Sequence, residues 1–155
     1  MAYILGIKSD ETSTTDDHGL GTIGLNVTSD GVKKFKWMKY DTGAGSVAAV
    51  SGQVAYYYTL DGYKNHTVTS DLSDSVEIGA GVLQSAPGDG EYGWIQIKGP
   101  ATLNLALTAG ADGDPLTPTG AGADGTLDVS AAVTDNVCAI AGDISDKEVV
   151  CDFPL

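Results

Sequence analysis

The sequence contains no arginine: its eight basic residues are all lysines, against 21 aspartates and glutamates, so the formal net charge is −13 at pH 7. Nucleic acids and anionic membranes attract proteins mainly through clustered positive charge, so we expect neither as a partner. Bidentate arginine contacts with phosphate or carboxylate are excluded as well. A binding surface on this chain must therefore use aromatic side chains, exposed strand edges and lysines.

Cysteines and long apolar runs are also scarce. The two cysteines, Cys138 and Cys151, are too few for a disulfide framework, and we expect them to be packed thiols, with a disulfide as the less favoured alternative. The N-terminal apolar run covers only residues 3–7 and then turns acidic, which is typical neither of a signal peptide nor of a membrane span. We therefore expect a protein that is made and kept inside a cell, or assembled there.

Residues suited to catalysis or metal binding are few. The only histidines are His18, in an acidic segment, and His66, in a strand-like run, and no GxSxG motif supplies a nucleophile. The cysteines and histidines lack the spacing of a zinc site. Calcium is a minor alternative, with three aspartates as candidate ligands: Asp112, Asp114 and Asp124. We expect no catalytic residue, no metal and no cofactor, and so a protein that is not an enzyme.

Residues 19–24, GLGTIG, match the GxGxxG pattern of dinucleotide-binding proteins. That motif binds a pyrophosphate only where a strand precedes it and a helix follows it. Here TTDDH precedes the motif and LNVTSDG follows it, so we interpret the glycines as part of a twisted strand or a bulge.

The 21 glycines, with frequent threonine, valine and tyrosine, predict an all-β fold of short antiparallel strands that form a barrel or a sandwich. Alternating side chains predict one strand at 92–98, a break at Gly99 and Pro100, and a second strand at 101–107. Further strands are expected at 32–40, 53–60 and 75–84.

The chain is predicted to divide into an extended N-terminal arm, residues 1–18, and one β domain, residues 19–155. The domain contains two weakly similar halves, about 32–84 and 91–142. In these halves the segment FKWM aligns with YGWI at an offset of 57 residues.

A closing hairpin is predicted at 136–153. If its turn lies at 143–146, Cys138 faces Cys151 and Ile140 faces Val149 on a single apolar face.

Two segments are candidates for binding a partner. The arm either docks on the core of its own chain or adds as a strand to a neighbouring subunit. Half of the lysines lie at 33–39, where they either meet an acidic partner or protect a sheet edge from aggregation. The residues concerned are Tyr3, Ile4, Leu5, Ile7, Lys33, Lys34, Lys36 and Lys39. A possible aromatic surface consists of Tyr56, Tyr57, Tyr58 and Trp94.

Four short segments carry a resemblance to a known class: GVLQ at 81–84, YGWIQ at 92–96, GADGDPLTP at 110–118 and AIAG at 139–142. Their order resembles that of small virion proteins of tailed bacteriophages, some of which are capsid decoration, or cement, proteins. The resemblance covers about residues 32–155. It implies a non-enzymatic structural protein on the outer surface of the phage head, assembled in the host cytoplasm, with the major capsid protein and further copies of itself as partners, a trimer being favoured.

Two alternatives stay open. One is another virion component, from the tail or the neck. The other is a carbohydrate-binding β-module that uses the possible aromatic surface, because tyrosine and tryptophan rings stack on sugars.

Overall fold

The computed structural model describes residues 3–58 and 62–155 of the chain. It is nearly all β, with 43% strand and 4% helix, and contains a closed barrel of five strands with further strands outside the ring. The predicted fold class is confirmed. In chain order the strands are β1 Tyr3–Leu5, β2 Thr12–Ser13, β3 Ile23–Thr28, β4 Gly31–Tyr40, β5 Val54–Tyr58, β6 Thr67–Thr69, β7 Ser75–Leu83, β8 Tyr92–Thr102, β9 Pro115–Thr117, β10 Asp128–Val129, β11 Ala139–Asp143 and β12 Glu148–Asp152. The helical segments are α1 Gly62–Asn65 and a 3-10 turn at Leu72–Asp74.

The barrel closes in the order β4, β6, β5, β7 and β8, with β8 pairing back onto β4. All neighbours in this ring are antiparallel except β4 and β6, which run parallel. The remaining strands extend the sheet on both sides of the ring: β3 and then β1 lie beyond β4, whereas β12, β11, β9 and β10 follow β8.

Strand β8 is central to the fold, because other strands pair along both of its edges. One edge pairs with β4, and the other pairs successively with β2, β7 and β12. The predicted break at Gly99 and Pro100 is wrong: the strand continues to Thr102. Gly99 has φ of +93°, a conformation open to glycine, and a Cβ there would lie 3.0 Å from the carbonyl oxygen of Val32.

The predicted second strand at 101–107 is also wrong beyond Thr102. Leu103 is buried, but Leu105 is exposed and residues 103–107 are not a strand. The alternating leucines therefore belong to a loop that Leu103, and the half-buried Leu107 further along, anchor to the main core. Of the predicted strand at 53–60, residues 54–58 form β5, and residues 59 and 60 lie outside the described part of the chain.

The side chains of β4 alternate between two apolar clusters. Met38 and Tyr40 point into the barrel and join the main core. Phe35 and Trp37 point to the other face, where they form a second cluster with Trp94 of β8. Trp37 lies directly opposite Trp94 in the β4–β8 pairing, and their ring centroids are 5.1 Å apart.

The N-terminal segment folds over this tryptophan cluster. The His18 ring contacts Trp37 edge to face, with centroids 4.7 Å apart, and its Nε2 lies 2.9 Å from Glu11 Oε2. The indole N–H of Trp37 donates to Asp16 Oδ1 at 3.0 Å, and that of Trp94 donates to Glu11 Oε2 at 3.4 Å. Both tryptophans of the chain therefore lie under the arm, and the arm docks on the body of its own chain.

Glu11→Ala should loosen this segment, because it removes the acceptor shared by His18 and Trp94. We expect a loss of about 1 kcal/mol in the free energy of unfolding and a red shift of tryptophan emission. Urea denaturation followed by fluorescence measures both quantities. Asp10→Ala is the matched control, since Asp10 is exposed and should change neither; equal behaviour of the two variants would contradict the contacts described.

The closing hairpin forms, but its register differs by one residue from the prediction. Cys151 pairs with Ala139, and Val149 pairs with Ala141. Ile140 is therefore turned outward and is 40% exposed, which corrects its predicted place on the buried face. Cys138, just before β11, is nevertheless buried, and both cysteines are free thiols. Burial raises the pKa of the Cys151 thiol to about 12.

The two predicted halves contribute their aromatic strands, β4 and β8, to one barrel. The division of the chain into an arm and two related halves stays a prediction.

Candidate functional site

The sheet extends beyond the barrel as a three-stranded projection, here named the wing, which consists of β1, β3 and residues 31–34 of β4. In the wing Leu5 pairs with Leu25, and Leu25 pairs with Lys34. Two residue pairs further out, Val27 of β3 faces Val32 of β4. The outer border of the wing is β1, which is the end of the strand order.

One face of the wing exposes large aliphatic side chains. Leu5 is 74% exposed, Val27 73% and Val32 53%. Directly paired residues project to the same side of a sheet, and side chains alternate along each strand, so these three side chains share one face with Leu25 and Lys34. Nearer the barrel the same face continues into the main core through Ile23, which is fully buried. The wing thus extends a core face into solvent.

Two lysines of the wing have no ion-pair partner within the described residues. Lys34 lies on the aliphatic face, and its neighbour Lys33 lies on the opposite face. Lys98, opposite Lys34 on β8, pairs instead with Asp152. In a chain with a net charge of −13, Lys34 thus places beside exposed aliphatic groups a positive charge that no described residue pairs.

The structure brings the two predicted partner-binding segments together only in part. Residues 3–5 form β1, and this strand joins Lys33 and Lys34 through β3. Ile7 packs inward against Gly24 and the tryptophan cluster. Ile4 is half-buried, and the side chain of Tyr3 lies outside the described part.

The other two lysines of the predicted set do not belong to the wing. Lys39 lies at the far end of β4, opposite Tyr92. Lys36 is only 1% exposed, so its inclusion in an exposed lysine surface is wrong. Side chains alternate between the two faces of β4, and Lys36 pairs with the core residue Ile23. The Lys36 side chain therefore points into the barrel.

The predicted aromatic surface is also corrected. Tyr56, Tyr57 and Trp94 have no exposed area, and Tyr58 is half-buried. Tyr56 and Tyr57 lie on a strand of the closed barrel, where burial raises the pKa of both phenols. The hydroxyl of Tyr56 donates to the carbonyl of Thr126, so it is satisfied inside the protein. The rings of Tyr56, Tyr57 and Trp94 are therefore structural, and a sugar cannot stack on them.

Lys36 is held in the barrel by aromatic groups. Its Nζ lies 3.2 Å from the hydroxyl of Tyr57, and 5.6 and 5.7 Å from the ring centroids of Tyr57 and Tyr63. It has no ion pair within the described residues. Burial lowers the pKa of Lys36, and burial together with the charge of Lys36 lowers the pKa of His66.

Lys36→Met should therefore stabilise the protein, by about 1–2 kcal/mol at neutral pH. Because the pKa is lower in the folded state, the unfolded chain binds the proton more tightly, and the cost to folding is complete below the folded pKa. The cost disappears as the pH rises towards the unfolded value of about 10.4. The gain from the substitution should shrink over the same range in urea denaturation. Lys64→Met, at an exposed lysine, is the control; a gain that is equal for both variants, or independent of pH, would contradict this description.

The residues considered for other chemistry have structural partners. Asp112 accepts from the N–H of Ile144, Asp114 from that of Ala111, and Asp124 from that of Leu72. The GxGxxG segment leads into strand β3, not into a helix. The described residues contain no group of three or more His, Cys, Asp or Glu side chains placed to hold a metal.

A second apolar region lies elsewhere, in an open cleft of about 570 Å³ lined in part by Tyr63, Ile78, Val137 and Pro154. Its two carboxylates are already bonded within the chain. Asp135 accepts from backbone N–H groups of the neighbouring loop, and Asp152 pairs with Lys98. The cleft contains none of the residues predicted to bind a partner.

Val27 and Val32 are the wing residues that sequence reasoning missed. A signal was available, because they flank the two turn residues Ser29 and Asp30 symmetrically. Their pairing follows from that turn, but their exposure does not, since it depends on how far the sheet extends beyond the barrel.

Within the described residues, no helix combines the length and the apolar character needed to cross a membrane. No family model, curated protein or solved structure matches the chain.

Proposed function

We propose that this chain is a non-enzymatic structural protein that decorates the outer surface of a tailed-bacteriophage head, where it binds the shell through the wing. The observation that supports the proposal best is the meeting of two segments, residues 3–5 and Lys33–Lys34, in one sheet. That sheet exposes Leu5, Val27 and Val32 on the face of Lys34, which has no ion-pair partner among the described residues. Exposed aliphatic groups next to positive charge suit an acidic protein partner with apolar patches.

The rest of the molecule suits a supporting role. A closed barrel with filled apolar clusters on two sides of β4 is a rigid body, so contacts at the wing cost little ordering of the chain. On a shell, many copies bind a repeated lattice, and weak individual contacts add to a high overall affinity. We propose that copies associate on the shell, as a trimer in preference to a dimer or monomer.

The major capsid protein is the proposed partner, and neither nucleic acid nor membrane is. The wing offers only a few lysines within a chain of net charge −13, which suits local charge complementarity with a protein surface better than phosphate binding.

Cosedimentation with purified heads of the phage that encodes the chain tests the proposal. The double variant Val27→Ser with Val32→Ser should lose about tenfold or more in shell occupancy, because both valines are exposed on the wing. The matched control is Val76→Ser with Val137→Ser, which alters two exposed valines outside the wing and should bind normally. Equal binding by both double variants, or no binding by the unmodified protein, would refute the proposal.

A further inference from the structure

Among the described residues, no strand pairs with the outer edge of β1. The N–H of Gly6 donates to the carbonyl of Leu25 at 2.7 Å, so Gly6 points its amide towards β3. Backbone groups alternate in direction along a strand, so the N–H and C=O of the preceding residue, Leu5, point away from β3. No strand lies on that side, because β1 ends the strand order of the described residues. Leu5 therefore presents one donor and one acceptor to an incoming strand.

The surroundings of this edge indicate the character of the incoming strand. Leu5 is also the most exposed aliphatic side chain of the wing, and Lys8, just beyond β1, is exposed without an ion-pair partner among the described residues. Lys34 adds a second positive charge on the aliphatic face. A second copy of the chain would bring its own net charge of −13 against the same charge, which disfavours edge-to-edge self-pairing.

We propose that the edge of β1 accepts an extended strand of the shell subunit that alternates aliphatic and acidic residues. This inference rests on the proposed function and specifies how the wing binds. Main-chain hydrogen bonds to Leu5 supply affinity, and the exposed Leu5 side chain and the positive charge of Lys8 select the strand. The added strand extends the β1–β3–β4 sheet by one member.

A synthetic peptide, acetyl-EVEVTVEV-amide, is the probe. Added to the isotopically labelled protein, it should shift the Leu5 amide resonance and slow its hydrogen exchange. A peptide of the same sequence with N-methyl groups on alternate residues should bind about tenfold more weakly, since it cannot complete the ladder. The lysine counterpart, acetyl-KVKVTVKV-amide, should also bind more weakly, because its positive charges are repelled by the lysines near the edge of β1. Equal affinity for all three peptides would overturn the proposal.

Protein variants separate backbone from side-chain effects. Leu5→Ala removes the aliphatic side chain, whereas Leu5→Pro also removes the outward N–H, and Leu5→Pro should bind the glutamate peptide about threefold to tenfold more weakly than Leu5→Ala. Lys8→Gln, at the exposed lysine just beyond β1, should weaken binding of the glutamate peptide, whereas Lys64→Gln, at an exposed lysine outside the wing, should not. Equal affinity of Leu5→Pro and Leu5→Ala would overturn the proposal; the N-methylated peptide gives an answer that does not depend on how Leu5→Pro folds.

The peptide experiment and the cosedimentation experiment separate strand addition from shell binding. If the protein cosediments with heads but does not discriminate the three peptides, strand addition is wrong and shell binding stands. If it discriminates the peptides but does not bind heads, the edge of β1 accepts such a strand and the proposed function is wrong.

Discussion

Deletion of residues 1–6 is expected to reduce shell binding by about 100-fold or more while the body of the protein stays folded. The deletion removes β1 and with it Leu5, the free strand edge and one border of the aliphatic face. It leaves Ile7, Glu11 and His18 in place over the tryptophan cluster. Binding is measured by cosedimentation with purified heads, and folding by tryptophan emission and urea denaturation.

A variant in which residues 1–6 are replaced by a glycine-serine segment of equal length is the control for chain length. It should bind as poorly as the deletion, because it has neither the apolar side chains nor a strand-forming sequence. Wild-type occupancy by either variant would show that β1 is not part of the binding surface. Lost binding together with a large loss of stability would instead assign β1 a role in folding.

Trp94→Ala is expected to reduce the free energy of unfolding by about 3–5 kcal/mol. Trp94 has no exposed area, lies opposite Trp37 where β8 closes the barrel on β4, and has its indole N–H bonded to Glu11. Its removal therefore leaves a cavity between the arm and the sheet. Urea denaturation followed by far-ultraviolet circular dichroism measures the loss independently of tryptophan emission.

Tyr63→Ala is the comparison for an exposed aromatic residue. Tyr63 is 56% exposed, contacts Tyr57 and donates to the Leu155 carbonyl, so we expect a loss of about 1 kcal/mol or less. A small effect of Trp94→Ala, similar to that of Tyr63→Ala, would contradict the buried cluster. It would also restore Trp94 as a residue free to bind a sugar.

The sequence could predict the fold class and most strands because these depend on local patterns. Alternation located β4 and the first part of β8, and turn residues located the hairpins. The register in which strands pair was harder to predict from the sequence. The closing hairpin is displaced by one residue, which moves Ile140 to the outside, and nothing in the local sequence distinguishes the two registers.

The candidate site was predictable in part for the same reason. Two segments were identified from their composition, but only the sheet order places β1 next to β3 and β3 next to β4. Alternation on β4 could have separated Lys36 from Lys33, yet it could not show which face is buried, because both faces of the strand pack against apolar clusters near Trp37. The tyrosines of β5 present the same difficulty: a run of aromatic residues fits an exposed platform or a barrel wall equally well until the ring of strands is known.

Electron cryomicroscopy of purified heads incubated with the wild-type protein shows directly whether the wing binds the shell. We expect densities of the size of this 155-residue chain on the outer surface of the shell, with the wing against the capsid subunits and an added strand beside β1. Bare shells, or bound copies whose wing faces solvent, would contradict this expectation.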